Sequence, residues 1–263
     1  MSNITFKLQG VRQVKKGIYV TEDNSMKLHQ SKINLHDVKF DVPITGTVYG
    51  TLLNYKGEYE QLEPSMNKDP YKVPPNAPVL YIKPINTHIA NGAPIPLPDE
   101  VDEVTAGAAL GVVIGKNAKQ ISKDNAVDYI AGYTIVNDIS IPHESVYRPA
   151  YKEKARDGFC PIGPWIVDRR DIENPNNLGI RVYVNGVLKQ ENTTANLIRS
   201  VEQLLEEVTD FMTLYAGDVL LVGVPEDKPL LKEHDEVRIE IEGVGALANK
   251  VVREKAVVGG GIS

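Results

Sequence analysis

The sequence predicts an α+β protein that is mostly β, and three observations carry that expectation. Short apolar runs bounded by Gly, Pro or Asn recur along the 263 residues, the pattern of strands and turns rather than of long helices. Only two segments, 123–129 and 195–214, have helical periodicity. Asn185-Gly186 and Ala216-Gly217-Asp218 punctuate the C-terminal third as tight turns between such runs, and Asn-Gly is a strong hairpin signal because both residues tolerate positive φ.

Taken in order, residues 1–46 alternate apolar and polar in Ile4-Thr5-Phe6-Lys7-Leu8 and Val38-Lys39-Phe40-Asp41-Val42, which predicts a small N-terminal β appendage. A main domain follows over 47–254. It opens on a buried-strand candidate, 47–53, and a polar, proline-containing stretch, 54–78, reads as a loop. Val79-Leu80-Tyr81-Ile82-Lys83, 108–114 and 133–136 are short, apolar and bounded by breakers, so they are the predicted central strands. The stronger helix is 195–214, where Leu197, Ile198, Val201, Leu204, Leu205, Val208 and Met212 recur at three- and four-residue steps. Strands return at 179–184, 219–222 and 237–241, and 255–263, with Gly259-Gly260-Gly261, reads as a flexible tail.

Composition narrows the function classes. With 42% hydrophobic residues the chain can bury one large core, and 29 Lys+Arg against 35 Asp+Glu leave a formal charge of −6, so the basic footprint of a nucleic-acid binder is missing. The longest apolar runs, 106–114 and 219–224, fall short of the roughly 20 residues that span a bilayer. Residues 4–20 mix Lys, Arg and Gln into the place of a signal peptide's apolar stretch, and a cytoplasmic protein is expected. One cysteine, Cys160, forms no internal disulfide; its apolar neighbours point to core packing.

Several ordered stretches carry a family resemblance: Asn54-Tyr55, Val112-Val113-Ile114-Gly115-Lys116, Ala131-Gly132-Tyr133 through Asn137-Asp138-Ile139-Ser140, Lys154 through Asp157-Gly158-Phe159-Cys160-Pro161-Ile162-Gly163-Pro164-Trp165, and Gly223 with Pro225. Together with Gly217-Asp218-Val219 and Glu242-Gly243-Val244-Gly245 they resemble the fumarylacetoacetate hydrolase family. The resemblance implies a β-roll or barrel core with few helices. A narrower likeness, in Ser140-Ile141-Pro142-His143-Glu144-Ser145-Val146-Tyr147-Arg148-Pro149-Ala150, is to one unit of the family's tandem isomerase/decarboxylases of 4-hydroxyphenylacetate (homoprotocatechuate) breakdown. It implies decarboxylation of 5-oxopent-3-ene-1,2,5-tricarboxylate and isomerisation of the resulting 2-hydroxyhepta-2,4-dienedioate, with a second, homologous unit or a further copy of the chain as partner.

The family holds a Mg²⁺ or Mn²⁺ ion with a Glu-x-Glu pair and an Asp. Residues i and i+2 of a strand face one side, so such a pair converges on one ion. Here Gly107 and Ala109 stand at the pair's positions and Asp138 at the third. The expectation is therefore that this chain binds no metal of its own and that an active partner unit carries it. The family's proton-handling His and Glu after Asn-Tyr fall on Glu58 and Gln61, an Arg-Asp on Pro142-His143, and a Thr on Val224. By this reading Lys154, Glu58 and His143 are the catalytic candidates, and Lys83, Lys154 and Tyr147 the substrate-binding ones. Lys154 and Lys83 each have a second reading as solvated lysines, His143 as a surface residue, and Asp138 as a side chain bonded to the adjoining turn. Three functions compete: an enzyme with a rebuilt site acting on a small keto-enol di- or tricarboxylate, a subunit with a degenerate metal site beside a metal-competent homologue, and a non-catalytic small-molecule binding module.

Overall fold

In chain order the elements that build the site are strands β1 (Ser2–Leu8), β2 (Val48–Leu52), β3 (Val79–Lys83), β4 (Ala108–Ile114), β5 (Ile130–Asn137), β6 (Cys160–Asp168) and β7 (Val219–Leu221), and helices α1 (Lys56–Met66), α2 (Tyr151–Lys154) and α3 (Val201–Phe211). The structure is a computed structural model that describes residues 1–29, 31–69, 72–143 and 150–255. Its largest sheet runs β1-β6-β5-β4-β7-β2-β3, and Lys15–Val20, Ser25–Leu28 and Ser31–Asn34 extend it beyond β1. Neighbours on this path are antiparallel except β7 and β2, which are parallel. Every residue of β4 is buried, and β5 exposes one, Ala131. Strands covered on both faces need no polar alternation, which is why their sequence reads as continuous apolar runs.

A second sheet, in the order Val187–Thr193, Gly179–Val184, Glu236–Ile241, Gly245–Arg253, Ile95–Leu97, packs one face into the same core. Val237, Ile239 and Ile241 point inward while Glu236 and Arg238 stay exposed, so the alternation of period two is plain in this sheet. Trp165 of β6 links the layers. Its indole donates to Val244 O at 2.9 Å, and a Cβ on Gly245 would lie 2.9 Å from its ring, so only glycine lets the strand approach. Tyr19 and Phe40 also pack on Trp165, at ring separations of 4.6 and 5.6 Å. The strands of residues 1–46 thus continue the main sheet through β1 and share its core.

Two expectations about helices change. Residues 54–78 are not all loop, because α1 occupies 56–66. It lacks a side-chain N-cap, contains Pro64 and fully buries only Met66, so no apolar stripe announces it. The predicted helix 195–214 shortens to α3, preceded by a 3-10 turn at Thr194–Asn196. Ser200 and Gln203 form a capping box that sets its start, and periodicity alone does not see a cap. Val201, Leu204, Leu205 and Val208 form its buried face, each stabilising the fold by about 1.5–3 kcal/mol. Lys123–Tyr129 is a 3-10 helix. Residues 256–263 of the expected tail, and Tyr147, lie outside the described residues.

Candidate functional site

The site forms where β5 ends. Asn137 closes the strand by accepting the Gly107 N–H on Oδ1 at 2.9 Å, and Asp138 N donates to Gly107 O at 2.7 Å. The turn contact expected of Asp138's side chain therefore belongs to Asn137. Asp138 instead turns its carboxylate into a cluster of three residues. Lys154 Nζ, on α2, donates to Oδ2 at 2.6 Å, and the Tyr81 hydroxyl donates to the same oxygen at 2.5 Å. Lys83 Nζ lies 2.9 Å from Oδ1 while donating to Ile139 O at 2.9 Å and Lys154 O at 2.7 Å. The Lys83–Oδ1 contact is an ion pair off the hydrogen-bond axis, so Oδ1 is buried without an aligned donor.

Burial is what gives these contacts weight. Lys83 is 0% and Asp138 3% exposed, and a buried charge is tolerated only when paired. Burial alone would raise the Asp138 carboxyl. Lys154 ahead of Lys83, with hydrogen bonds from Lys154 and Tyr81, outweighs it and holds the group well below the ordinary carboxylate range. The Lys154 ammonium shows the opposite balance: burial, against the pull of Asp138 and with help from the positive charges of Lys83 and Lys228, lowers it to about 8. Burial, then Asp138, drives the Tyr81 phenol up, so it stays a donor. The Tyr81 ring also lies under Lys154 Nζ, 4.6 Å from the centroid. A Cβ on Gly50, opposite Tyr81 across β2 and β3, would come within 2.4 Å of three ring atoms, and glycine there makes room for the phenol.

Lys83, expected to touch substrate, is instead fully enclosed and supports Asp138 and the backbone of α2. Glu58 stands in the first turn of α1, where Oε2 accepts from Leu53 N at 2.8 Å and Oε1 pairs with Lys228 Nζ at 3.1 Å. Gln61 donates to Asp227 Oδ1 at 3.0 Å, so both dyad positions on α1 are tied to the 226–228 loop. His143 is exposed; partial desolvation of its ring, then the charge of Lys154, pushes the imidazole below its ordinary value. Val224 packs in an apolar cluster and Pro142 is exposed. Cys160 is buried, its thiol pushed up to about 12 by burial, which fits the packing role.

Two residues at or beside the cluster, Tyr81 and Lys228, escaped the sequence reading. Tyr81 lies two positions before Lys83 on one strand, so the same-face rule would have paired them. Lys228 gave no signal, because it reaches the site through a backbone contact, Ala106 N to Pro229 O at 2.8 Å, that no motif encodes.

The divalent ion that the family likeness implies does not fit the residues present. A Cβ at position 107 would lie 2.5 Å from Asp138 O, so no side chain projects there. Ala109 sits in an apolar cluster with Val113, Val136, Cys160 and Ile162. One carboxylate already bound to two ammonium groups is a poor donor set for a hard dication, and no group of three or more His, Cys, Asp or Glu converges among the described residues.

The family model for the fumarylacetoacetate (FAA) hydrolase C-terminal region matches residues 47–252. The 4-hydroxyphenylacetate degradation bifunctional isomerase/decarboxylase of Escherichia coli is 40% identical over 212 residues, 81% of this chain and 48% of that protein. The chain spans about half the length of the curated relatives it matches first. Among solved structures, 5-carboxymethyl-2-hydroxymuconate delta-isomerase from Mycobacterium smegmatis superposes with a TM-score of 0.78 at 31% identity, covering 96% of this chain and 99% of that one. The 2-hydroxyhepta-2,4-diene-1,7-dioate isomerase from Mycobacterium marinum gives 0.77 at 28% identity, covering 97% and 99%.

Proposed function

The chain belongs to the fumarylacetoacetate hydrolase family, and from that premise we propose that it is a metal-free unit of a 4-hydroxyphenylacetate-pathway isomerase/decarboxylase, working beside a metal-competent homologous unit. Relatives named for isomerisation and decarboxylation of small unsaturated carboxylates support the reaction class. The observation that carries the rest is the Lys83–Asp138–Lys154 cluster, with Gly107 and Ala109 where the carboxylate pair would stand. In such a site Lys154 is the fixed positive charge. Held by Asp138 and Tyr81, its ammonium meets an enolate or carboxylate oxygen without reorganising, which is how an oriented charge lowers a barrier in a dry site. Its lowered value leaves it mostly protonated at neutral pH yet able to give up a proton. Glu58 is the nearby carboxylate for accepting a proton, and His143 a second carrier at the rim.

The test follows loss of the conjugated dienoate chromophore with this chain, with a Glu-x-Glu-bearing family unit, and with the mixture. Weak turnover by the chain alone and more in the mixture than in the sum of the two supports the proposal. Robust metal-dependent turnover by the chain alone, abolished in Asp138→Ala, means that the site has been rebuilt and the subunit reading is wrong.

A further inference from the structure

Three backbone contacts bring a second ammonium to the site. Glu103–Thr105 pairs with Leu230–Lys232, Ala106 N donates to Pro229 O at 2.8 Å, and Gly107 O accepts Asp138 N at 2.7 Å. The loop carrying Lys228 is thus fastened to the bend against which Asp138 turns inward. On its other side the same loop is held by α1: Gln61 donates to Asp227 at 3.0 Å, and Glu58, its side chain only 11% exposed, pairs with Lys228 at 3.1 Å. Glu58 is itself fixed by the Leu53 N–H, so the Lys228 ammonium is held in place rather than free on a flexible stem. Its side chain remains 30% exposed, and its charge is felt by both Lys154 and His143. Lys228 thus sits on the loop bonded to the bend that carries Asp138, the direct partner of Lys154. In the direct pairings, three ammonium groups, Lys83, Lys154 and Lys228, meet two carboxylates, Asp138 and Glu58. The surplus positive charge lies where Asp138 serves both Lys83 and Lys154, while Lys228 and Glu58 form a one-to-one pair whose ammonium side is the more exposed, at 30%.

We propose that Lys228 is the specificity-determining residue of the site: it binds the far carboxylate of a dicarboxylate whose reacting end lies at Lys154. This rests on the reading of the site as one for a small dicarboxylate, and it adds the residue that tells two carboxylates from one. Lys154 alone, engaged by Asp138, has no means of that distinction. Lys228 does, because a monoacid leaves its ammonium paired only with Glu58, whereas a diacid supplies a charge-assisted second contact.

Binding tests this without requiring turnover, so failure of the proposed reaction and failure of Lys228's role are separable. Calorimetry is run on the intact chain with succinate, glutarate, adipate and pimelate, each beside the monoacid of the same length. The wild type is expected to prefer at least one diacid over its monoacid by tenfold or more. Lys228→Met should bring that pair within about twofold by weakening the diacid and leaving the monoacid unchanged. Lys228→Arg should keep most of the preference, and Lys232→Met, a neighbouring exposed lysine, all of it. A merely structural role for Lys228, through Glu58 and α1, weakens diacid and monoacid alike, and that result overturns the proposal. So does a wild type that prefers no diacid or binds none of the acids, or a Lys228→Met chain that retains the preference.

Discussion

Replacing Asp138 by Asn keeps the side chain's size and removes its charge, which isolates the electrostatic part of the cluster. Lys83 and Lys154 would then be left buried, their ammonium groups 2.9 and 2.6 Å from an amide in place of a carboxylate. Breaking a buried ion pair by deleting one partner costs about 3–5 kcal/mol, and here one deletion strands two cations. The expected loss in urea unfolding at pH 7 is therefore at the upper end of that range. The pH dependence gives a second signature. In the wild type the depressed Asp138 carboxyl contributes stability that is present above its unfolded value of 3.8 and is lost only as pH falls through its much lower folded value. Lys154 has the opposite sign, because its folded value of about 8 lies below the unfolded 10.5. Protonated lysine is a burden on the fold at neutral pH, and stability rises between about 8 and 10.5 as the folded chain sheds that proton while the unfolded chain keeps it. Without Asp138 the lysine shifts further down, so the rise begins at lower pH. Unfolding midpoints from pH 6 to 10 read this directly. A loss under about 1 kcal/mol, the level of a surface ion pair, with an unchanged pH profile would refute the claim that the cluster is a buried, interdependent unit.

Two further outcomes follow from close contacts. Gly50→Ala pushes a Cβ into the Tyr81 ring and should destabilise by about 1–3 kcal/mol through overpacking; in a double-mutant cycle Tyr81→Ala should absorb most of that loss, and strict additivity would rule out the contact as its cause. Gly107→Glu combined with Ala109→Glu should fail to create a metal site, because position 107 faces Asp138 O and position 109 an apolar cluster; the check is whether Mn²⁺ raises the double variant's unfolding temperature, and a rise of several degrees would contradict it.

Much of the sheet was legible because its strands are short, apolar and punctuated. The 108–114, 179–184 and 237–241 runs carry their own signal, in two forms: continuous where both faces are covered and alternating where one is. α1 was not legible, since its polar surface and Pro64 hide a helix held by contacts with the 226–228 loop. For the candidate site, the sequence singled out Asp138, Lys154 and Glu58 and has Gly107 and Ala109 where the family resemblance implies a carboxylate pair. It did not supply what they do to one another. Whether Lys83 is solvated or enclosed depends on the packing of β3, β5 and α2, whose residues lie 56 and 71 positions away in its two carbonyl contacts. The pairing of Lys228 with Glu58 spans 170 residues, and only the fold brings them together.

The most direct test of the central claim, that buried lysines rather than a metal ion neutralise Asp138, is calorimetric titration of Mg²⁺ and Mn²⁺ into the purified chain and into Asp138→Ala. The claim predicts no saturable heat for either ion at micromolar to low millimolar metal, in wild type and variant alike. Stoichiometric binding by the wild type that disappears in Asp138→Ala would contradict it.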